Sequence, residues 1–254
     1  MASVTITVTS GPVTTSLLPP ARSATTLRNN CCSLLPLSPG LSYRRARRRN
    51  NVAASTKLVV RAARTESKGV SLGSRAPDFE LEEPLTGNIW KLEDFESYPA
   101  LLVMFICNHC PFVKHLKKDI VKLTDFYMKK GLGVVAISSN SVVTHPQDGP
   151  VFMAEDARNF NYPFPYLYDH SQNVARDYGA VCTPEFYLFK KDGRRPFELV
   201  YHGQFDDSRP SNNVGVNGRD LSMAIDCVLS GQPLPSNQKP SVGCSIKWHP
   251  EGNV

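Results

Sequence analysis

No aspartate or glutamate occurs before Glu66, although the chain of 254 residues carries 23 of them. Ten of its 29 lysines and arginines fall in that same stretch, five of them between Arg44 and Arg49. The remainder holds 19 basic against 23 acidic residues, a net charge of −4, so the overall +6 belongs to the first quarter of the chain. A mildly acidic body excludes the electrostatic footprint of a nucleic-acid binder. No run approaches 18 consecutive apolar residues, so no membrane-spanning helix is expected. Nor does a second Cys-x-x-Cys pair accompany Cys107 and Cys110; a structural zinc site of four ligands would lack half its donors. Beyond Cys31 and Cys32 the cysteines number five, namely Cys107, Cys110, Cys182, Cys227 and Cys244. An odd count argues against a closed disulfide framework and for thiols that do chemistry.

The acid-free stretch is also rich in serine and threonine from Ser3 to Thr56. That composition marks an organelle-targeting leader, too poor in apolar residues to order itself. Met1-Ala2-Ser3 and Val59-Val60-Arg61-Ala62-Ala63 resemble a plastid presequence and its processing site. We therefore expect residues 1–63 to be an unstructured transit peptide directing the chain to the chloroplast stroma, with the mitochondrion as the alternative. A basic arm that binds nucleic acid is the other reading of Arg44–Arg49. Residues 68–231 are expected to form one domain. Residues 232–254 hold Pro233, Pro235, Pro240 and Pro250 and are expected to form an extended arm on the surface.

What is present is concentrated at Cys107-Asn108-His109-Cys110. Seven apolar residues, Ala100 to Ile106, precede it and predict a strand buried on both faces. After it, Val113, Leu116, Ile120, Leu123 and Tyr127 recur at helical spacing. Two cysteines thus lie where a buried strand feeds a helix N-terminus, whose unpaired N–H groups favour a thiolate. Redox chemistry, metal binding and inert packing are the three uses of such a pair. The strand–helix context favours the first. Cys107, ahead of the helix, is expected to be the more exposed thiol and the nucleophile, and Cys110 the resolving one. His109, as an imidazolium, would lower the Cys107 pKa; otherwise it is a solvated histidine. Lys114, Lys117, Lys118 and Lys122 read as a solvated helix face.

Further along, residues 77–92 read as a β-hairpin turning at Pro84-Leu85-Thr86-Gly87, and Gly133 to Ser138 as a second buried strand parallel to the first. Gly131 and Gly133 are expected to end the intervening helix. Helices follow near 151–160, at 174–178 and at about 219–230, with a strand at 165–168 and a hairpin across Lys191-Asp192-Gly193. The order predicts an α/β three-layer sandwich with a central mixed sheet and an N-terminal β-hairpin extension.

Three motifs in sequence resemble the thioredoxin superfamily, and more closely its alkyl-hydroperoxide-reductase/thiol-specific-antioxidant branch. They are Gly73-Ser74-Arg75-Ala76-Pro77-Asp78-Phe79-Glu80-Leu81, then Cys107 to Cys110, then Cys182-Thr183-Pro184 with Phe186 to Arg194. The resemblance spans roughly residues 70–230. It implies a thioredoxin-like fold, a cis bond at Thr183–Pro184, and a substrate segment paired with the Thr183 backbone. It departs from the family where thioredoxins carry tryptophan and a buried aspartate, here Ile106 and Leu101, and where peroxiredoxins carry threonine, here Met104. Dithiol–disulfide exchange is thereby favoured over fast peroxidase chemistry, with a redox-regulated binding module as a third reading. The expected partners are a protein or small-molecule disulfide and a dithiol electron donor, with no cofactor and no metal. Cys182 reads either as an inert buried thiol or as a further redox group. Cys244, in the arm, reads either as regulatory or as a passive residue pinned by Ile246 and Trp248.

Overall fold

The computed structural model describes residues 64–250; the leader and its Arg44–Arg49 cluster lie outside the described residues. Its centre is β4 (Ala100–Phe105), every residue of which is buried. Side chains alternate across a strand. Leu102 and Met104 therefore join one core, and Leu101, Val103 and Phe105 join another on the opposite face. A strand covered on both faces needs a layer on each side, which is why the continuous apolar run dictates a sandwich.

Parallel to β4 runs β5 (Leu132–Ser138), and beside that β6 (Tyr166–Tyr168). On its other side β4 pairs antiparallel with β8 (Glu185–Lys190), which pairs with β9 (Glu198–Gly203). The N-terminal hairpin, β2 (Glu80–Glu82) and β3 (Ile89–Lys91), attaches to β6 and completes a seven-stranded mixed sheet in the order β3-β2-β6-β5-β4-β8-β9. One face is covered by α1 (Pro111–Met128), α2 (Pro150–Phe160) and α4 (Arg219–Ser230). The other face carries α3 (Asn173–Asp177) and the Phe79 and Phe95 rings. Val113, Leu116 and Ile120 are the buried stripe of α1; each contributes about 1.5–3 kcal/mol by leaving water.

Three details differ from the sequence reading. Gly131, at φ +94°, turns the chain after α1, but Gly133 does not end the helix. It lies inside β5, where an added Cβ would press on the Tyr98 ring at 3.1 Å. Lys117 is not on a solvated face. It is buried, with Nζ 2.8 and 2.6 Å from the two Asp156 carboxylate oxygens. Long side chains carry their charge to a partner in this way.

The largest difference concerns the arm. Residues Val242–Ser245 form β10, the middle strand of a second, three-stranded sheet between β1 (Arg64–Glu66) and β7 (Cys182–Thr183). The arm was expected on the surface because its prolines exclude a helix or a central strand. Those prolines flank β10 instead of interrupting it, and pairing on both edges satisfies its backbone, so Val242, Cys244 and Ile246 are buried. β1 begins four residues before the expected domain start and is held by β10 alone.

Candidate active site

Cys107-Asn108-His109-Cys110 occupies the turn between β4 and α1, with Cys110 at the N-cap and Pro111 at the first helical position. Pro111 is tolerated there because its missing N–H would have no intrahelical partner. Facing the pair is the Thr183–Pro184 segment, whose peptide bond is cis. Thr183 touches both thiols: its Oγ1 lies 3.3 Å from Cys107 Sγ, and its carbonyl accepts a hydrogen bond from Cys110 Sγ at 3.2 Å. The structure therefore brings Cys107, Cys110, Thr183 and Pro184 together across more than 70 residues of sequence.

Exposure differs from expectation. Cys107 is 1% exposed and Cys110 0%, so neither thiol stands open to solvent. All the described cysteines are free thiols. Burial, above all, pushes the Cys107 thiol well up, and the Asp148 carboxylate adds to this. Cys110 is pulled down by hydrogen bonds to the Cys107 and Cys244 thiols, against burial, with the Val113 N–H assisting. The two thiols are thus perturbed in opposite directions, and Cys110, at the helix N-terminus, is the one pulled down.

Asp148 is the functional group that the sequence reading missed. It is wholly buried in the loop before α2. Oδ1 accepts the backbone N–H groups of Asn108 at 2.9 Å and His109 at 3.1 Å. Oδ2 accepts Asn140 Nδ2 at 2.9 Å and bonds His109 Nδ1. Hydrogen bonds from His109 and Asn140 overcome burial and hold the Asp148 carboxyl below the usual carboxylate range. The expectation for His109 changes accordingly. Its Nδ1, 3.9 Å from Cys107 Sγ, is already committed to Asp148, and any positive charge on the ring is countered beside it. One nitrogen cannot both serve the carboxylate and act as base toward the sulfur, so the three groups do not form a relay triad. Cys107, His109 and Asp148 also offer one ligand atom each within 4.8 Å of one another. The existing hydrogen bonds already use those carboxylate lone pairs.

The other two cysteines divide. Cys182 is fully buried, its Sγ 3.5 Å from Glu185 Oε2. Burial and that carboxylate push its thiol far up. Cys244 lies directly opposite Thr183 in the β10–β7 register. Gly243, beside it, approaches so closely that a Cβ would lie 2.0 Å from the Thr183 carbonyl oxygen.

Residues 72–194 match the model of the AhpC/TSA family. The thiol-disulfide oxidoreductase ResA of Geobacillus thermodenitrificans (strain NG80-2) is 27% identical over 130 residues, 51% of this chain and 70% of that protein. An uncharacterized conserved protein from Geobacillus kaustophilus, of known structure, is 48% identical with a TM-score of 0.71, covering 75% of this chain and 98% of its own. A hypothetical protein from Sinorhizobium meliloti 1021 is 45% identical with a TM-score of 0.70, covering 73% and 98%.

Proposed function

We propose that this chain is a member of the thioredoxin-like AhpC/TSA family and a thiol–disulfide oxidoreductase working through Cys107 and Cys110. The observation that carries the reading is the shared contact of both thiols with Thr183 at the head of α1. In the reducing direction, Cys107 gives up its proton and its thiolate attacks one sulfur of a disulfide; that proton and the one later lost by Cys110 end on the two departing substrate thiolates. The substrate S–S bond breaks, one substrate thiolate leaves, and Cys107 holds the other half as a mixed disulfide. Cys110 then attacks the Cys107 sulfur and releases the second substrate thiolate. Two electrons have passed to the substrate, and Cys107–Cys110 is a disulfide until a dithiol donor reduces it. The downward pull on Cys110 suits the second step, in which it is the attacking thiol.

Asp148 serves this chemistry by fixing the turn that carries the pair, through the Asn108 and His109 N–H groups. Among the described residues, no arginine hydrogen-bonds either sulfur, so the donor that would polarise a peroxide O–O bond is absent from the pair's immediate contacts. The substrates are protein or small-molecule disulfides. The chloroplast stroma is the proposed compartment. β1 starts at Arg64, so cleavage after Ala63 would leave the pairing of β1 with β10 intact.

Turnover of a peptide disulfide against turnover of hydrogen peroxide tests the activity. The parent should reduce the first, Cys107→Ser should not, and Cys110→Ser should accumulate mixed disulfides on Cys107. Undiminished reduction by Cys107→Ser would reject the mechanism, and preferential consumption of peroxide would move the chain to the peroxidase reading. A fluorescent fusion of residues 1–64 should enter plastids; arrival in mitochondria would reassign the compartment.

A further inference from the structure

Thr183 touches more than the two thiols of the turn. Its hydroxyl meets Cys107 Sγ at 3.3 Å, its carbonyl meets Cys110 Sγ at 3.2 Å, and its cross-strand partner is Cys244. Directly opposed residues on antiparallel strands have Cα atoms about 4.5–5.5 Å apart. Gly243 lets the β10 backbone press against the Thr183 carbonyl, where no side chain would fit. All three cysteines are buried in the same core, at 1%, 0% and 2% exposure. Nothing in a purely structural strand requires a thiol at that position.

We propose that Cys244 is a third redox thiol of this site, exchanging with the Cys107–Cys110 disulfide to form a Cys110–Cys244 disulfide. The step is an isomerisation and needs no outside oxidant. Cys244 attacks Cys110 Sγ, the Cys107–Cys110 bond breaks, the Cys110–Cys244 bond forms, and Cys107 leaves as a thiolate that takes up the proton Cys244 gave. The oxidising equivalent moves onto β10, and Cys107 is returned as a free thiol for a second substrate. Cys110 Sγ bonds the carbonyl of Thr183, and Cys244 is the residue paired with Thr183 across the strands, so the two thiols converge on one residue. The proposal rests on the exchange chemistry assigned above and adds the internal acceptor.

The test uses the full chain carrying Cys107→Ser, treated with oxidised glutathione and mapped by non-reducing peptide mass spectrometry. Cys110 first takes glutathione, releasing one glutathione thiol; Cys244 then displaces the second. The expected product is Cys110 joined to Cys244. In Cys107→Ser/Cys244→Ser, Cys110 should instead retain glutathione. If Cys110 retains glutathione while Cys244 stays free in the single variant, the proposal is overturned. The parent, oxidised and acid-quenched, gives an independent readout should the variant unfold: Cys110–Cys244 should appear beside Cys107–Cys110, and its absence is equally decisive. Formation of Cys107–Cys110 with turnover in the parent judges the oxidoreductase reading separately. That reading can survive loss of the third thiol.

Discussion

Asp148 and Glu185 are both fully buried carboxylates, each bonded to a histidine and each near a cysteine, yet they sit in opposite surroundings. Glu185 opens β8 and spends every lone pair inward. Oε1 takes His202 Nε2 at 2.7 Å and the Tyr187 hydroxyl at 2.9 Å; Oε2 takes the N–H groups of Val181 and Cys182 at 2.9 and 3.1 Å. His202 is sealed and stacked on Tyr187 at 4.4 Å. Asp148 also has four hydrogen bonds, but three come from the turn that carries the thiols, two of them backbone N–H groups, and the ring it holds is 21% exposed at the side chain. The same pairing therefore does two jobs. Enclosed on all sides, it fixes the Thr183–Pro184 segment from behind. Set at the mouth, it fixes the dithiol turn and puts negative charge near Cys107.

If that contrast is right, the inner pair should matter most to stability. Glu185→Ala strands His202, the Tyr187 hydroxyl and two backbone N–H groups inside the core. Removing one partner of a buried pair costs about 3–5 kcal/mol, so urea unfolding should show a loss of that size. A loss under about 1 kcal/mol, the scale of an exposed pair, would break the comparison at its strongest point.

The outer pair should move stability less and chemistry more. Asp148→Asn keeps the shape but turns one acceptor into a donor facing other donors, a cost of about 1–3 kcal/mol. It also removes a carboxylate that raises Cys107, so the Cys107 thiol should titrate lower. Ultraviolet thiolate absorbance in a Cys110→Ser background reads this directly. An unmoved titration would reduce Asp148 to a scaffold like Glu185.

What the sequence reveals of these two regions follows from how far their chemistry extends along the chain. β4, β5 and α1 were legible because seven apolar residues in a row, or a repeat of three and four, leave one burial solution. Cys107, Cys110, Thr183 and Pro184 were legible because short contiguous motifs carry them. Asp148 was not: a lone aspartate between prolines reads as a solvated loop residue, and its partners Asn108 and His109 lie about 40 positions earlier. Glu185 read only as the first residue of a strand. β1 and β10 were missed for another reason. Arg64-Thr65-Glu66 has no apolar pattern, the alternation of Val242, Cys244 and Ile246 is short and lies among prolines, and the pairing of the two strands is set by each other and by Thr183.

The smallest expected effect is on pH dependence, and it concerns Asp148. Asp148 is held below the usual carboxylate range, burial being overcome by hydrogen bonds from His109 and Asn140. A carboxyl depressed in the folded state stabilises the fold fully above its unfolded value, about 3.9 for aspartate, and loses that contribution as pH falls through the folded value. The stability difference between the parent and Asp148→Asn should therefore stay level from neutral pH down to about pH 5, and shrink below about pH 4. His109→Ala removes one of the hydrogen bonds that hold the carboxyl down, leaving burial less opposed, so Asp148 should rise. Its contribution is then lost at higher pH, and the acid-unfolding midpoint followed by tryptophan fluorescence should shift upward. His202→Ala, which leaves Asp148 untouched, should lower stability without shifting that midpoint through the Asp148 titration. Were His109→Ala and the parent to unfold in acid at the same pH after correction for their stability at neutrality, the His109 hydrogen bond would not be what holds the Asp148 carboxyl down.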